Sequence, residues 1–123
     1  MDGDYKGITA AERGLPIISK IVTHGDVVYL CGVTSEPNGD VQVQTRQVLA
    51  RIDRLLAAAD TDKSNLLAAQ VWLADMADFE AHNAVWNEWV DRAHPPVRAC
   101  VGAPLWQKEV RVEIMVTAAR RAT

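Results

Sequence analysis

Asn65-Leu66-Leu67-Ala68-Ala69-Gln70-Val71-Trp72-Leu73 is the stretch on which the fold turns. It is a short apolar run between two helical segments, and in that position it reads as a buried strand rather than a third helix. Before it, residues 60–64 form a loop, and over residues 41–59 Val48, Leu49, Ile52, Leu55, Leu56 and Ala59 recur at helical spacing. Arg46, Arg51 and Arg54 fall on the other faces, so this is a one-sided amphipathic helix. Asp40, after the turn residues Glu36-Pro37-Asn38-Gly39, is placed to cap it. After the strand, Asp75 or Asp78 caps a second helix whose stripe is Phe79, Asn83, Trp86 and Val90, stopped by Pro95-Pro96.

Two β-branched runs open the chain, Ile17-Ile18-Ser19-Lys20-Ile21-Val22 and Val27-Val28-Tyr29-Leu30-Cys31, joined by Thr23-His24-Gly25-Asp26 as in a hairpin. Two more strands are expected near residues 97–102 and 110–117. The order β-β-α-β-α-β-β packs most simply as an α+β fold, one mixed sheet with two helices on one face. The strands near residues 27–33 and 66–73 are apolar on both alternating faces, a pattern of strands covered on both sides. The face left bare by the helices is therefore expected to be hidden by other copies of the chain, in a symmetric homo-oligomer.

With 123 residues, 49% hydrophobic and 24% charged, the composition is that of one globular domain over residues 1–123. A net charge of −3 carries no electrostatic footprint for nucleic acid or an anionic membrane, which leaves small neutral or anionic partners. Arg120-Arg121 reads as a solvated basic pair. No apolar run approaches the roughly 20 residues that span a bilayer, and the start, Met1-Asp2-Gly3-Asp4, is acidic where a signal peptide is basic. A cytoplasmic protein is the expectation, with Cys31 and Cys100 as reduced thiols in apolar surroundings.

The polar residues of the C-terminal third carry the chemistry. In Pro95-Pro96-Val97-Arg98-Ala99-Cys100-Val101, Arg98 and Cys100 share one strand face among apolar neighbours. A buried guanidinium requires an anion, and its planar fork suits a carboxylate. That anion is either Glu113 on the following strand, as an internal salt bridge, or the carboxylate of a small ligand. Asn83 is a polar amide inside an apolar stripe and needs hydrogen-bond partners, either structural or in a site. His24, His82 and His94 have no spacing that places a base beside a cysteine, so both thiols read as inert. No metal-ligand grouping, glycine-rich phosphate loop or nucleophile elbow is present. Trp72, Trp86, Trp89 and Trp106, without a basic groove, read as core or subunit contacts.

Three segments carry a resemblance to a known family: Val28-Tyr29-Leu30-Cys31-Gly32, Gln44-Thr45-Arg46-Gln47-Val48-Leu49, and Pro96-Val97-Arg98-Ala99-Cys100-Val101 with Val112-Glu113-Ile114. Along nearly its whole length the chain resembles the RidA, or YjgF-like, reactive-intermediate deaminases. The resemblance implies a chorismate-mutase-like fold, a homotrimer with sites in the clefts between subunits, and hydrolysis of imines and enamines such as 2-aminoacrylate to 2-oxo acids and ammonia. It implies no cofactor. It makes Arg98 the binder of the substrate carboxylate, Glu113 and the Cys100 backbone carbonyl the holders of the attacking water, and Asn83 the site asparagine of the second helix. The chain departs from the pattern at Ile18, where a tyrosine is usual, and at Cys31, where a serine is usual; it also differs in the loop Gly102-Ala103-Pro104-Leu105-Trp106-Gln107-Lys108. A bulkier or more apolar imino acid is compatible with these changes. Two other functions remain open: a non-catalytic sensor or carrier of small carboxylates, and an endoribonuclease, against which the acidic balance argues.

Overall fold

A computed structural model describes residues 3–121. Six strands form one mixed sheet: β1 (Gly3–Lys6), β2 (Ile21–His24), β3 (Val27–Leu30), β4 (Leu66–Leu73), β5 (Val97–Gly102) and β6 (Val112–Ala119). Their spatial order is β1-β2-β3-β6-β4-β5, and both helices, α1 (Val41–Ala58) and α2 (Phe79–Trp89), pack on this sheet. All pairs are antiparallel except β4 with β5, whose connection runs through α2. A parallel pair needs a crossover of this kind, and the reading of residues 65–73 as a strand between two helices is what allows it.

Local chemistry sets the element ends. Asp40 caps α1, its Oδ1 accepting from the Val43 N–H at 2.9 Å. Asp75 caps a single 3-10 turn, Met76–Asp78, whereas Asp78 occupies the α2 N-cap position without a capping bond and turns its carboxylate to Arg111. Between β2 and β3, Gly25 takes a positive φ of 59°, as a tight hairpin turn requires.

Four sequence expectations are corrected. β1 was not anticipated: Gly3-Asp4-Tyr5-Lys6 has no apolar alternation, and it becomes a strand only by pairing with β2 at the sheet edge. Ile17, Ile18 and Ser19 precede β2 instead of forming its first half. Ile18 is tied to Thr9 across the β1–β2 connection, donating its N–H to Thr9 Oγ1 and accepting from the Thr9 N–H, both at 2.8 Å. Asn65 belongs to a 3-10 turn capped by Asp62, and β6 begins at Val112 rather than Val110.

The core lies between helices and sheet. Val28, Leu30, Val71, Leu73, Val112, Ile114 and Val116 on the strands meet Val48, Leu49, Ile52 and Leu56 of α1, all essentially without exposure. The opposite face carries Tyr29, Val97, Val101 and Met115, each at least 43% exposed. These apolar side chains on a sheet face without helices match the expected uncovered surface. No described helix is long and apolar enough to cross a membrane.

Candidate functional site

Arg98 sits on the helix side of β5. It is in register with Ala69 of β4, itself paired with Val116 of β6, and both of those are buried under the helices. α2 crosses above it. The Arg98 guanidinium donates from Nη2 to Asn83 Oδ1 at 2.7 Å, and its Nη1 lies 3.2 Å from His82 Nε2. Its Cζ is 5.0 Å from the centre of the Trp86 ring, a cation–π distance. The aromatic contact continues outward, with Trp86 and Trp89 centroids 5.5 Å apart and Lys63 Nζ 5.2 Å from the Trp89 ring.

The chemistry of these partners fixes the protons. A guanidinium has donors only, so His82 Nε2 accepts, the ring is neutral, and its proton is on Nδ1. That Nδ1–H has one partner, Thr45 Oγ1 at 3.0 Å, and both residues have no exposed surface. Burial first, and the Arg98 charge second, lower the His82 pKa from 6.5 to about 4. Between those pH values the unfolded chain binds a proton at His82 that the folded chain does not. Folding stability is therefore expected to fall as pH drops from 6.5 toward 4. Denaturant unfolding across this range should show a weaker pH dependence in His82→Gln, which has no titrating ring; equal dependence would clear His82 of the effect.

Among the described residues Arg98 has no carboxylate partner. The internal Arg98–Glu113 salt bridge, one of the two options open from sequence, is thus corrected. β4 lies between β5 and β6, and Glu113 alternates with the buried Val112 and Ile114, so its side chain projects from the other face of the sheet. Two strand spacings across and three residues along put the two Cα atoms roughly 14 Å apart.

Glu113 has its own setting. A Cβ on Gly32 would stand 2.2 Å from Glu113 Oε2, so only glycine there lets the carboxylate lie against the backbone. Burial pushes the Glu113 pKa up, which keeps its carboxyl closer to neutrality than an exposed one. Cys31, adjacent to Gly32, has its thiol pushed up by burial, opposed by Lys20 and reinforced by Glu113. Burial likewise raises the Cys100 thiol, against the pull of Arg98. Both cysteines are therefore protonated near neutral pH, as expected of inert thiols. β5 is an edge strand, so half of its backbone polar groups, in the segment that holds Cys100, face away from the sheet.

The six residues singled out from sequence fall into two groups. Arg98, Asn83 and Cys100 gather where β5 meets α2; Glu113, Cys31 and Ile18 lie toward the β2–β3 side, Ile18 beside the opposite sheet edge. Sequence reasoning missed His82 and Thr45. The signal was present for His82, because Phe79, His82, Asn83 and Trp86 stand at i, i+3, i+4 and i+7, which puts His82 in the buried stripe. Thr45 carried no signal, since its partner is 37 residues away.

The description endoribonuclease L-PSP belongs to the family model that matches residues 17–120. A RutC family protein of Haemophilus influenzae is 42% identical over an alignment of 105 residues that covers 82% of this chain and 89% of its own. TdcF of Escherichia coli, provisionally named a reactive intermediate deaminase, is 30% identical over 112 residues, 89% of this chain and 86% of its own. The crystal structure of NMB1025, a YjgF-family protein of Neisseria meningitidis, superposes with a TM-score of 0.92 at 39% identity and covers 100% of this chain and 98% of that one. With the fold, the relatives and the family pattern in agreement over most of its length, the chain belongs to the YjgF/RidA family.

Proposed function

We propose that the protein hydrolyses small 2-imino and 2-enamino acids to 2-oxo acids and ammonia. One observation carries the reading: the half-buried Arg98 guanidinium is held by two neutral acceptors and an aromatic face, and among the described residues no carboxylate neutralises it. Such a cation is oriented and still uncompensated, the condition for binding a ligand carboxylate through two parallel hydrogen bonds.

An imine carbon is already electrophilic, so positioning supplies much of the catalysis. With the carboxylate on Arg98, a 2-enamine first takes a proton at C3 to give the imine; water then attacks the imine carbon, its proton passing through Glu113 to the imine nitrogen. The carbinolamine hydroxyl next gives its proton through Glu113 to the amine as the C–N bond breaks, releasing ammonia and leaving the C=O of the 2-oxo acid. Glu113 suits this role because burial raises its pKa toward the working range of a proton acceptor and donor. No step draws on a cofactor.

Arg98 and Glu113 face opposite sides of one chain's sheet, so we assign a site to Arg98, Asn83 and the Cys100 segment of one copy with Glu113, Cys31 and Ile18 of a neighbour. The homotrimer suggested by the family resemblance supplies such neighbours and covers the apolar face. The two free thiols accord with a reducing, cytoplasmic setting. Nucleic acid and membranes are not expected as partners.

The absence of a side-chain hydroxyl at Ile18 and of an ionised thiol at Cys31 favours a second reading, a carrier or sensor that binds small carboxylates on Arg98 without turning them over. One experiment separates the two. Imino acids generated in situ by an amino-acid oxidase are followed to 2-oxo acid with and without the protein. Acceleration over buffer is expected; binding of pyruvate with no acceleration for any imine would leave the carrier.

A further inference from the structure

The buried pair His82–Thr45 has no part in the hydrolysis above, yet it ends on the residue that anchors the substrate. A histidine wholly removed from solvent between a threonine hydroxyl and an arginine is a costly arrangement unless each ring nitrogen is satisfied. Here each is satisfied in only one way. Nε2 must accept from Arg98, so Nδ1 must carry the proton and give it to Thr45. The opposite tautomer would set an N–H against the Arg98 N–H, whereas the Thr45 hydroxyl, able to donate or accept, suits either form; Arg98 therefore selects the tautomer and Thr45 holds the ring in place.

We propose that His82 and Thr45 are positioning residues for the carboxylate anchor: Thr45 holds the His82 ring by accepting from its Nδ1–H, and the neutral His82 aims Arg98 without neutralising it. The proposal rests on the reading of Arg98 as that anchor. Its physical content is a division of labour among three restraints. Asn83 holds Nη2, His82 holds Nη1, and Trp86 stacks near the guanidinium carbon. Of the five guanidinium N–H groups, two are engaged by the described residues, and the other three can face a ligand. A carboxylate in the place of either neutral acceptor would hold the guanidinium as firmly, but would cancel the charge that recruits the substrate. The use of an imidazole rather than an acid on Nη1 is therefore what keeps the anchor both rigid and cationic.

The restraint acts on binding more than on the chemical step, because it orders Arg98 and not the water. Loss of the acceptor is expected to raise KM roughly tenfold with a much smaller change in kcat. In Thr45→Val, which keeps the shape of threonine without its hydroxyl, Nδ1–H loses its acceptor and the ring loses the contact that holds it against Arg98. His82→Gln places an amide oxygen near the former Nε2 position and should retain pyruvate affinity to within about threefold, whereas His82→Leu should lose roughly tenfold.

Two measurements on the full chain test this. Nitrogen-15 NMR of the ring at pH 7 should show wild-type His82 as the neutral Nδ1–H tautomer, and Thr45→Val with the same tautomer but an Nδ1–H signal moved to that of a group without a hydrogen-bond acceptor. A charged ring or an Nε2–H wild type overturns the proposal without any assay of activity. Pyruvate titration, read by calorimetry, should rank wild type and His82→Gln above Thr45→Val and His82→Leu. Unchanged affinity in Thr45→Val and His82→Leu, while Arg98→Ala abolishes binding, makes the pair structural and overturns the proposal. Unchanged affinity in Arg98→Ala instead removes the anchor itself, and the failure then belongs to the proposed function. If His82→Leu does not fold, Thr45→Val and the tautomer measurement still decide.

Discussion

Arg98→Ala is expected to lower kcat/KM for imino-acid hydrolysis by roughly 10²- to 10³-fold while leaving the chain folded and its assembly state unchanged. The size follows from what is removed. A bidentate, charge-assisted pair contributes on the order of 3–4 kcal/mol when it is lost from a partly desolvated site, because each such hydrogen bond is about twice as strong as a neutral one. Retention of the fold follows from where Arg98 sits. It is only partly buried on an edge strand, its partners are two polar groups and one aromatic face, and the core of Val28, Leu30, Ile52, Leu56, Val71 and Ile114 does not include it. His82 loses a donor in the variant, but it also loses the positive charge that depresses its pKa, so the ring becomes easier to protonate. Steady-state kinetics with sedimentation of the same sample checks both halves of the expectation. A variant that dissociates or unfolds would make Arg98 a structural residue; one that retains full activity would remove the carboxylate anchor.

Glu113→Gln should reduce kcat about 10²-fold with little change in KM, the pattern of a group used in the chemical step rather than in binding. Glutamine fills the same volume against Gly32 and keeps hydrogen-bonding capacity, but it cannot take a proton from water. Stability should move the other way. A carboxyl whose folded pKa is raised by burial resists ionisation in the folded state, so folding stability is lost as pH rises from the ordinary carboxylate range through the folded pKa. At neutral pH the amide is then expected to melt no lower than wild type. Gly32→Ala gives an independent view of the same group: its Cβ would meet Oε2 at 2.2 Å and displace the carboxylate, so activity should fall although no ionisable group has changed. If kcat is unaffected in both variants, the attacking water is activated by something other than Glu113.

The division between what was legible in sequence and what was not follows the range of the interactions involved. Helical spacing over residues 41–59 and 79–90, the Thr23-His24-Gly25-Asp26 turn, the capping Asp40 and the apolar run of residues 65–73 depend on neighbours a few residues apart, and these define the α+β order. Arg98 and Asn83 stood out because a guanidinium on an apolar strand and an amide in an apolar stripe each demand a partner, and the structure makes each the partner of the other. Strand β1 was not legible, since Gly3-Asp4-Tyr5-Lys6 owes its conformation to a neighbouring edge rather than to its own pattern. The path from Thr45 through His82 to Arg98 was not legible either, because it joins α1, α2 and β5 across 37 and 16 residues of chain. Local sequence could therefore announce that Arg98 needs an anion and that Glu113 is close along the chain. Only the tertiary structure could decide that β4 lies between their strands and that the two side chains leave opposite faces of the sheet, because strand order and register are set by long-range pairing.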